Sequence, residues 1–203
     1  MAVHLHHNDI PEGLGFGKMV AVDTETMGLK PSRDRLCVVQ LSAGDGNAHL
    51  VQFPDGDYAA LRLKALLTDP DVTKLFHFAR FDLAVLEYYL GTVARPVYCT
   101  RTASRLARTY TDQHGLKDLC KELLGVELSK AQQSSDWGSA ELSGPQRGYA
   151  AADVLHLHRL KECLDSMLAR EGRMALAVAC FDFLPVRARL DLEGWAEEDI
   201  FAH

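Results

Sequence analysis

The run AVDTETMGL, residues 21–29, carries an apolar strand straight into two acids, Asp23 and Glu25. Alternate residues of a strand share a face, so both carboxylates point the same way. Like charges side by side at a strand end repel each other unless something positive sits between them, and a divalent cation is the simplest remedy. All-oxygen ligation selects hard ions such as Mg²⁺ or Mn²⁺, and the chain offers no Cys/His set of the kind zinc prefers. Taken alone, the pair also fits an ordinary solvated strand end.

The pattern around those acids is that of a mixed α/β chain. KMVAVDTE, LCVVQLSAG and AHLVQF are short, valine-rich and separated by Gly, Asp and Pro clusters, which predicts three consecutive strands in a meander. From DYAALRLKALLTDP onward the spacing predicts a helix, a strand at TKLFHF, and a second helix at FDLAVLEYYLG stopped by Gly91. TRTASRLARTY and GLKDLCKELLG read as two more helices, with the polar stretch SKAQQSSDWGSAEL as a turn-rich connection. In LSGPQRGYAAADVLHLHRL, Ser143 and Gln146 match a capping box and Pro145 suits the first turn. Val154, Leu157, Leu160, Leu164 and Leu168 then predict one buried face on a continuous helix. That register sets Tyr149 and Asp153 one turn apart on a common face.

Composition narrows the class. With 203 residues, 47% of them hydrophobic, the expectation is one globular domain. There is no run of about 18 apolar residues, and the first residues lack the basic-then-apolar order of a secretory signal, so a soluble, cytoplasmic protein with no membrane partner is expected. The cysteines at 37, 99, 120, 163 and 180 form no C-x-x-C pair and read as reduced packing residues. A net charge of −6 argues against coating nucleic acid through bulk basicity, but it suits a nucleic-acid enzyme whose own acids are neutralised by metal ions.

Two further acids raise the stakes. FHFARFDLAVL puts Asp82 in the first turn of a helix that follows a strand, and YAAADV puts Asp153 one turn after Tyr149. Singly, Asp82 could serve its helix dipole and Tyr149 a core. Together, DTE after a strand, FD at a helix start and Y-x-x-x-D in a late helix resemble the three motifs of the DEDD exonuclease superfamily in its tyrosine-bearing branch. SKAQQSSDW followed by LSGPQRGYAAADVLHLHRL is similar to the ribonuclease D group. AVDTETMGLKPSRDRLCVVQLSAGDG, TDQHGLKDLCKELL and the tail CFDFLPVRARLDLEGWAEEDIFAH resemble the stand-alone bacterial nanoRNase C enzymes, over all but the first dozen or so residues.

The resemblance implies an RNase H-like fold, a mixed central sheet flanked by helices, without the helical HRDC domains that follow the nuclease domain of ribonuclease D. It implies two-metal hydrolysis of short oligoribonucleotides, dinucleotides especially, from the 3′ end, releasing nucleoside 5′-monophosphates. Asp23, Glu25 and Asp153 would hold one Mg²⁺ or Mn²⁺, Asp23 would bridge to a second, and Asp82 would complete that second site through a water. Tyr149, neutral at pH 7, would aim the attacking water. It also implies a ring-shaped homo-octamer, to which residues from about 172 to 203 would contribute contacts. Action on longer RNA, or on single- or double-stranded DNA, is the alternative activity, and a silent nucleic-acid-binding scaffold is a third reading.

Substrate contacts are assigned by the same resemblance. Leu29 would wedge between terminal bases, with loop packing as the competing account. His77 stands where the superfamily carries a His-Asn-Ala-x-Phe-Asp string, although Phe78 replaces the asparagine. Gln133, Ser135, Asp136 and Trp137 would line the groove, Trp137 either stacking on a base or plugging the loop from beneath. Arg101, Arg105 and Arg108 predict a basic stripe, either phosphate-guiding or, by default, a solvated face or a subunit contact. His4, His6 and His7 fall at a terminus expected to be mobile.

Overall fold

The computed structural model describes residues 2–129, 131–132 and 134–203. Its centre is a six-stranded sheet in the order β1-β4-β3-β2-β5-β6, formed by β1 (Val3–His7), β2 (Met19–Thr26), β3 (Leu36–Ser42), β4 (Ala48–Gln52), β5 (Thr73–Phe76) and β6 (Val97–Cys99). The predicted meander is present: β2, β3 and β4 pair antiparallel in sequence order, while β1 joins β4, β5 joins β2 and β6 joins β5 in parallel. β3 (LCVVQLS) is apolar except for Gln40 and Ser42, and it is buried along its whole length.

Seven helices among the described residues flank the sheet: α1 (Leu61–Thr68), α2 (Ala79–Leu90), α3 (Thr100–Ala107), α4 (Leu116–Leu124), α5 (Gly144–Leu155), α6 (Leu157–Arg170) and α7 (Met174–Leu192). α5 lies across β1 to β4, and α6 touches β2 and β5. Gly91 ends α2 at φ +64°, a left-handed stop that a Cβ would disfavour. The capping box at the start of α5 forms as expected, Ser143 and Gln146 each serving the other's backbone.

Several sequence expectations need correction. His4, His6 and His7 are not in a mobile tail: they belong to β1, where His6 Nε2 lies 3.1 Å from His49 Nδ1 and the His4 ring stacks on His49. The predicted continuous helix breaks at His156, so Val154 falls in the last turn of α5 and Leu157 opens α6, both still buried. Arg108 is not part of a solvated stripe. Its side chain is fully buried and donates to Ser104 Oγ (3.0 Å), the Gln113 carbonyl (2.8 Å) and the Glu122 carboxylate. The apolar tail forms α7, which packs on α2 and β6 through Ala177, Phe181, Pro185 and Ala188 while Leu176, Val178, Phe183 and Val186 face outward.

Candidate active site

The two acids of β2 sit where that strand leaves the sheet. The β2/β3 pairing slips between Glu25 and Thr26, a bulge that ends the ladder and turns the chain into the loop carrying Leu29. Across the sheet, α5 brings Asp153 to the same place. Carboxylate oxygens of Asp23, Glu25 and Asp153 all lie within 4.8 Å of one another. Asp82, in the first turn of α2 and 3% exposed, approaches from the other side and accepts a 2.6 Å hydrogen bond from Thr24 Oγ1. Among the described residues, Asp23, Glu25 and Asp153 form the one group of His, Cys, Asp or Glu side chains close enough to share an ion.

Crowding of these acids has an electrostatic signature. Burial, then Asp82, Asp153 and Glu25, pushes Asp23 well above the usual carboxylate range. Burial and the same neighbours push Glu25 up to about 9, and burial raises Asp82 and Asp153 to about 7 each. Carboxylates that resist ionisation together are what a divalent cation would relieve. The donor set is all oxygen, which fits Mg²⁺ or Mn²⁺. Tyr149, one turn before Asp153, has its phenol raised by burial and then by Asp153, so it stays protonated and acts as a hydrogen-bond donor.

Asp23, Glu25 and Asp153 line a cleft of about 660 Å³ that also takes in Leu29, His77, Phe78, Arg101, Lys117 and Ser135. Leu29 is 87% exposed at its rim. Its loop is stapled beneath by Asp34, which accepts from the Lys30 amide (2.9 Å) and from the Arg33 guanidinium (2.6 and 2.8 Å). That tightness also explains Gly28, where a Cβ would run into the Asp34 carboxylate.

The remaining expected contacts divide. Ser135 reaches the cleft and donates to Gln132 Oε1 at 2.6 Å, and Asp136 is exposed and caps its own turn through Gly138 and Ser139. Gln133 lies outside the described residues. Trp137 borders the cleft as expected but offers little face for a base: it is 2% exposed, packed with Val38, Leu50, Leu142 and Ala150, its ring centroid 6.1 Å from that of Tyr149. The plug reading of Trp137 is therefore the one the structure supports. His77 lines the cleft with Nδ1 2.9 Å from Thr100 Oγ1.

Sequence reasoning missed Thr24, Phe78 and Lys117 as parts of the site. Thr24 sits between the two motif acids, so alternation sends it away from them and towards α2, a contact that only the fold reveals. Phe78 is exposed, adopts φ +67° between β5 and α2, and carries Arg101 4.9 Å above its ring. Lys117 enters from the first turn of α4, a position with no local signature.

A family model described as "3'-5' exonuclease" matches residues 7–169. The ribonuclease D of Gluconacetobacter diazotrophicus is 38% identical over 166 residues, covering 81% of this chain and 42% of that protein. The chain thus spans about two-fifths of the length of the curated relatives it matches. Among solved structures, Brucella melitensis NrnC with bound Mg²⁺ is 55% identical with a TM-score of 0.96 and full coverage of both chains. The same protein bound to pGG is 56% identical with a TM-score of 0.97, covering 100% of this chain and 99% of that one. Escherichia coli RNase D, an exoribonuclease, is 26% identical with a TM-score of 0.75 over 85% of this chain and 45% of its own. The mixed sheet, the flanking helices and these matches agree: the chain belongs to the 3′-5′ exonuclease family.

Proposed function

We propose that this chain is a metal-dependent exoribonuclease that removes nucleotides from the 3′ end of very short RNAs, dinucleotides especially, as nucleoside 5′-monophosphates. The observation that carries the reading is the gathering of Asp23, Glu25 and Asp153 with Tyr149 in one cleft, with Asp82 buried beside them and an exposed Leu29 in the same lining. The Mg²⁺ and pGG in the Brucella NrnC structures support the metal and the substrate class by similarity.

Asp23, Glu25 and Asp153 are the residues that would hold one divalent ion, with Asp23 and Asp82 serving a second. Bound there, the ions would lower the pKa of a water and offset charge on the phosphate oxygens. Tyr149, held protonated, donates a hydrogen bond that fixes the orientation of the attacking water; it does not act as a strong base. Leu29, held by the Asp34 staple, presents an apolar edge on which terminal bases pack. Arg101 and Lys117 supply positive charge to a cleft otherwise lined by acids.

We read the 203 residues as one exonuclease domain that works in the cytoplasm, where five free thiols are at home. The outward Leu176, Val178, Phe183 and Val186 of α7 support assembly with further copies, and the family likeness suggests an octameric ring. No helix of the described residues is long and apolar enough to cross a membrane.

The test is a time course with Mn²⁺ or Mg²⁺ on an equimolar ladder of labelled RNAs from two to about ten nucleotides. Selective loss of the two-mer is expected. Even shortening of every rung would mean a general 3′-trimming exonuclease, and faster loss of duplex DNA would move the substrate class altogether.

A further inference from the structure

His77 closes the β5 end of the cleft with one nitrogen satisfied and the other not. Thr100 Oγ1 donates to the Phe76 carbonyl at 3.1 Å and lies 2.9 Å from His77 Nδ1. A hydroxyl has a single proton to give, so satisfying both the carbonyl and the imidazole requires the proton between Thr100 and His77 to reside on Nδ1. Nε2 is then a bare lone pair, and among the described residues it has no hydrogen-bond partner although it is buried. Burial, then the positive charge of Arg101, pushes the ring down to about 3, so it stays neutral at physiological pH, and the Thr100 contact sets its tautomer.

A buried acceptor without a donor costs free energy, and at a cleft wall the natural explanation is a ligand that brings the donor. What a nucleotide can donate is restricted. Phosphate oxygens accept only. Base edges differ in where they carry N–H groups, so no single base donor would serve every nucleotide. Every ribonucleotide carries the 2′-hydroxyl, and this is the group that distinguishes RNA from DNA.

We infer that His77 is a specificity-determining residue: Nε2 accepts the proton of a ribose 2′-hydroxyl in the cleft, and Thr100 holds the imidazole in the tautomer that makes this possible. The inference rests on the proposed action on short RNA and deepens it, because it assigns the ribose preference to one atom. Phe78 and Arg101, paired beside His77, belong to the same wall and bound the space that the sugar would enter.

The experiment compares pGG with versions lacking the 2′-hydroxyl on one sugar or the other, and with a 3′-deoxy version. It uses the metal-loaded enzyme and two readouts: kcat/KM with Mg²⁺, and equilibrium binding with Ca²⁺ in its place. The native enzyme should favour the ribo form over one of the 2′-deoxy forms by about tenfold, the worth of one net hydrogen bond. His77→Phe should bring that ratio close to one, chiefly by weakening the ribo substrate. Thr100→Val, which frees the tautomer but keeps the ring, should reduce the ratio in the same direction and covers the case in which the phenylalanine variant does not fold. A native ratio near one, a ratio that survives both substitutions, or discrimination confined to the 3′-deoxy form would overturn the inference. Failure to bind or cleave any dinucleotide would instead overturn the proposed function on which it rests.

Discussion

Thr24 and Asp82 are 58 positions apart in sequence, yet the threonine hydroxyl donates to the aspartate carboxylate at 2.6 Å in the interior. This contact couples β2, which carries two of the acids, to α2, which carries a third. It also opposes the burial that raises Asp82, because a hydrogen bond to a carboxylate favours its charged form.

Thr24→Val should therefore raise the pKa of Asp82 further and weaken divalent-ion binding by about tenfold to a hundredfold at pH 7. Mn²⁺ titration by calorimetry reads this directly, and unchanged affinity would remove Thr24 from the site. Thr24→Ser should retain most of the native affinity.

Asp23→Asn should lower turnover of dinucleotides by about a thousandfold or more, since it neutralises the acid expected to serve both ions. The same substitution should raise the melting temperature of the metal-free protein, because it removes one member of a mutually repelling group. Loss of activity with a lower melting temperature would point to misfolding instead.

Metal-free stability should fall as pH rises. Glu25, at about 9, and Asp82 and Asp153, at about 7, hold protons in the folded state that an unfolded carboxylate near 4 has already lost. From about pH 4 upward the folded protein thus binds more protons than the unfolded chain, so stability falls with rising pH, less steeply above about 7 once Asp82 and Asp153 have ionised, and levels off above about 9. Added Mg²⁺ or Mn²⁺ should displace the protons and stabilise most at the alkaline end. Thermal melts at pH 6.5, 7.5 and 8.5, with EDTA and with Mn²⁺, would test both slopes.

Tyr149→Phe should cut kcat by about a hundredfold or more while leaving metal affinity unchanged, since it deletes one oriented hydroxyl and keeps the ring against Trp137. With the phenol raised, the pH–rate profile of the native enzyme should show no tyrosine limb below pH 10.

Arg108→Ala should destabilise the fold by about 2 to 4 kcal/mol, because it empties a buried site and strands the partners that Ser104, Gln113 and Glu122 provide there. Half-exposed Glu122 loses less than its partner does, so Glu122→Gln should cost under about 1 kcal/mol. Urea unfolding measures both.

How much of this was legible depends on how local the cause was. The meander, the Gly91 stop and the Ser143–Gln146 capping box depend on residues a few positions apart, and all three appear as expected. Asp23 with Glu25, and Tyr149 with Asp153, were placed on common faces by strand and helix periodicity alone, and the fold brings both pairs together. β1 was missed because the stripe in VHLHH is only Val3 and Leu5, too short to read, and the strand gains its order from a parallel neighbour more than 40 residues away. β6 is three residues long and leaves no periodicity to read. Arg108 lies at helical spacing from Arg101 and Arg105, but the chain turns at the end of α3 and carries it inside. Trp137 was ambiguous because burial of a loop aromatic depends on which helix folds over it.

The closing helix gives the tail a stake in chemistry it never touches. Asp191, near the end of α7, receives the Arg80 guanidinium at 2.6 and 2.8 Å, and Arg80 stands two residues ahead of Asp82 on α2. Anyone trimming, tagging or fusing this protein at its carboxyl end is therefore handling the brace of the helix that carries Asp82. Lineages that let the tail drift would pay in the cleft before any residue of the cleft had changed.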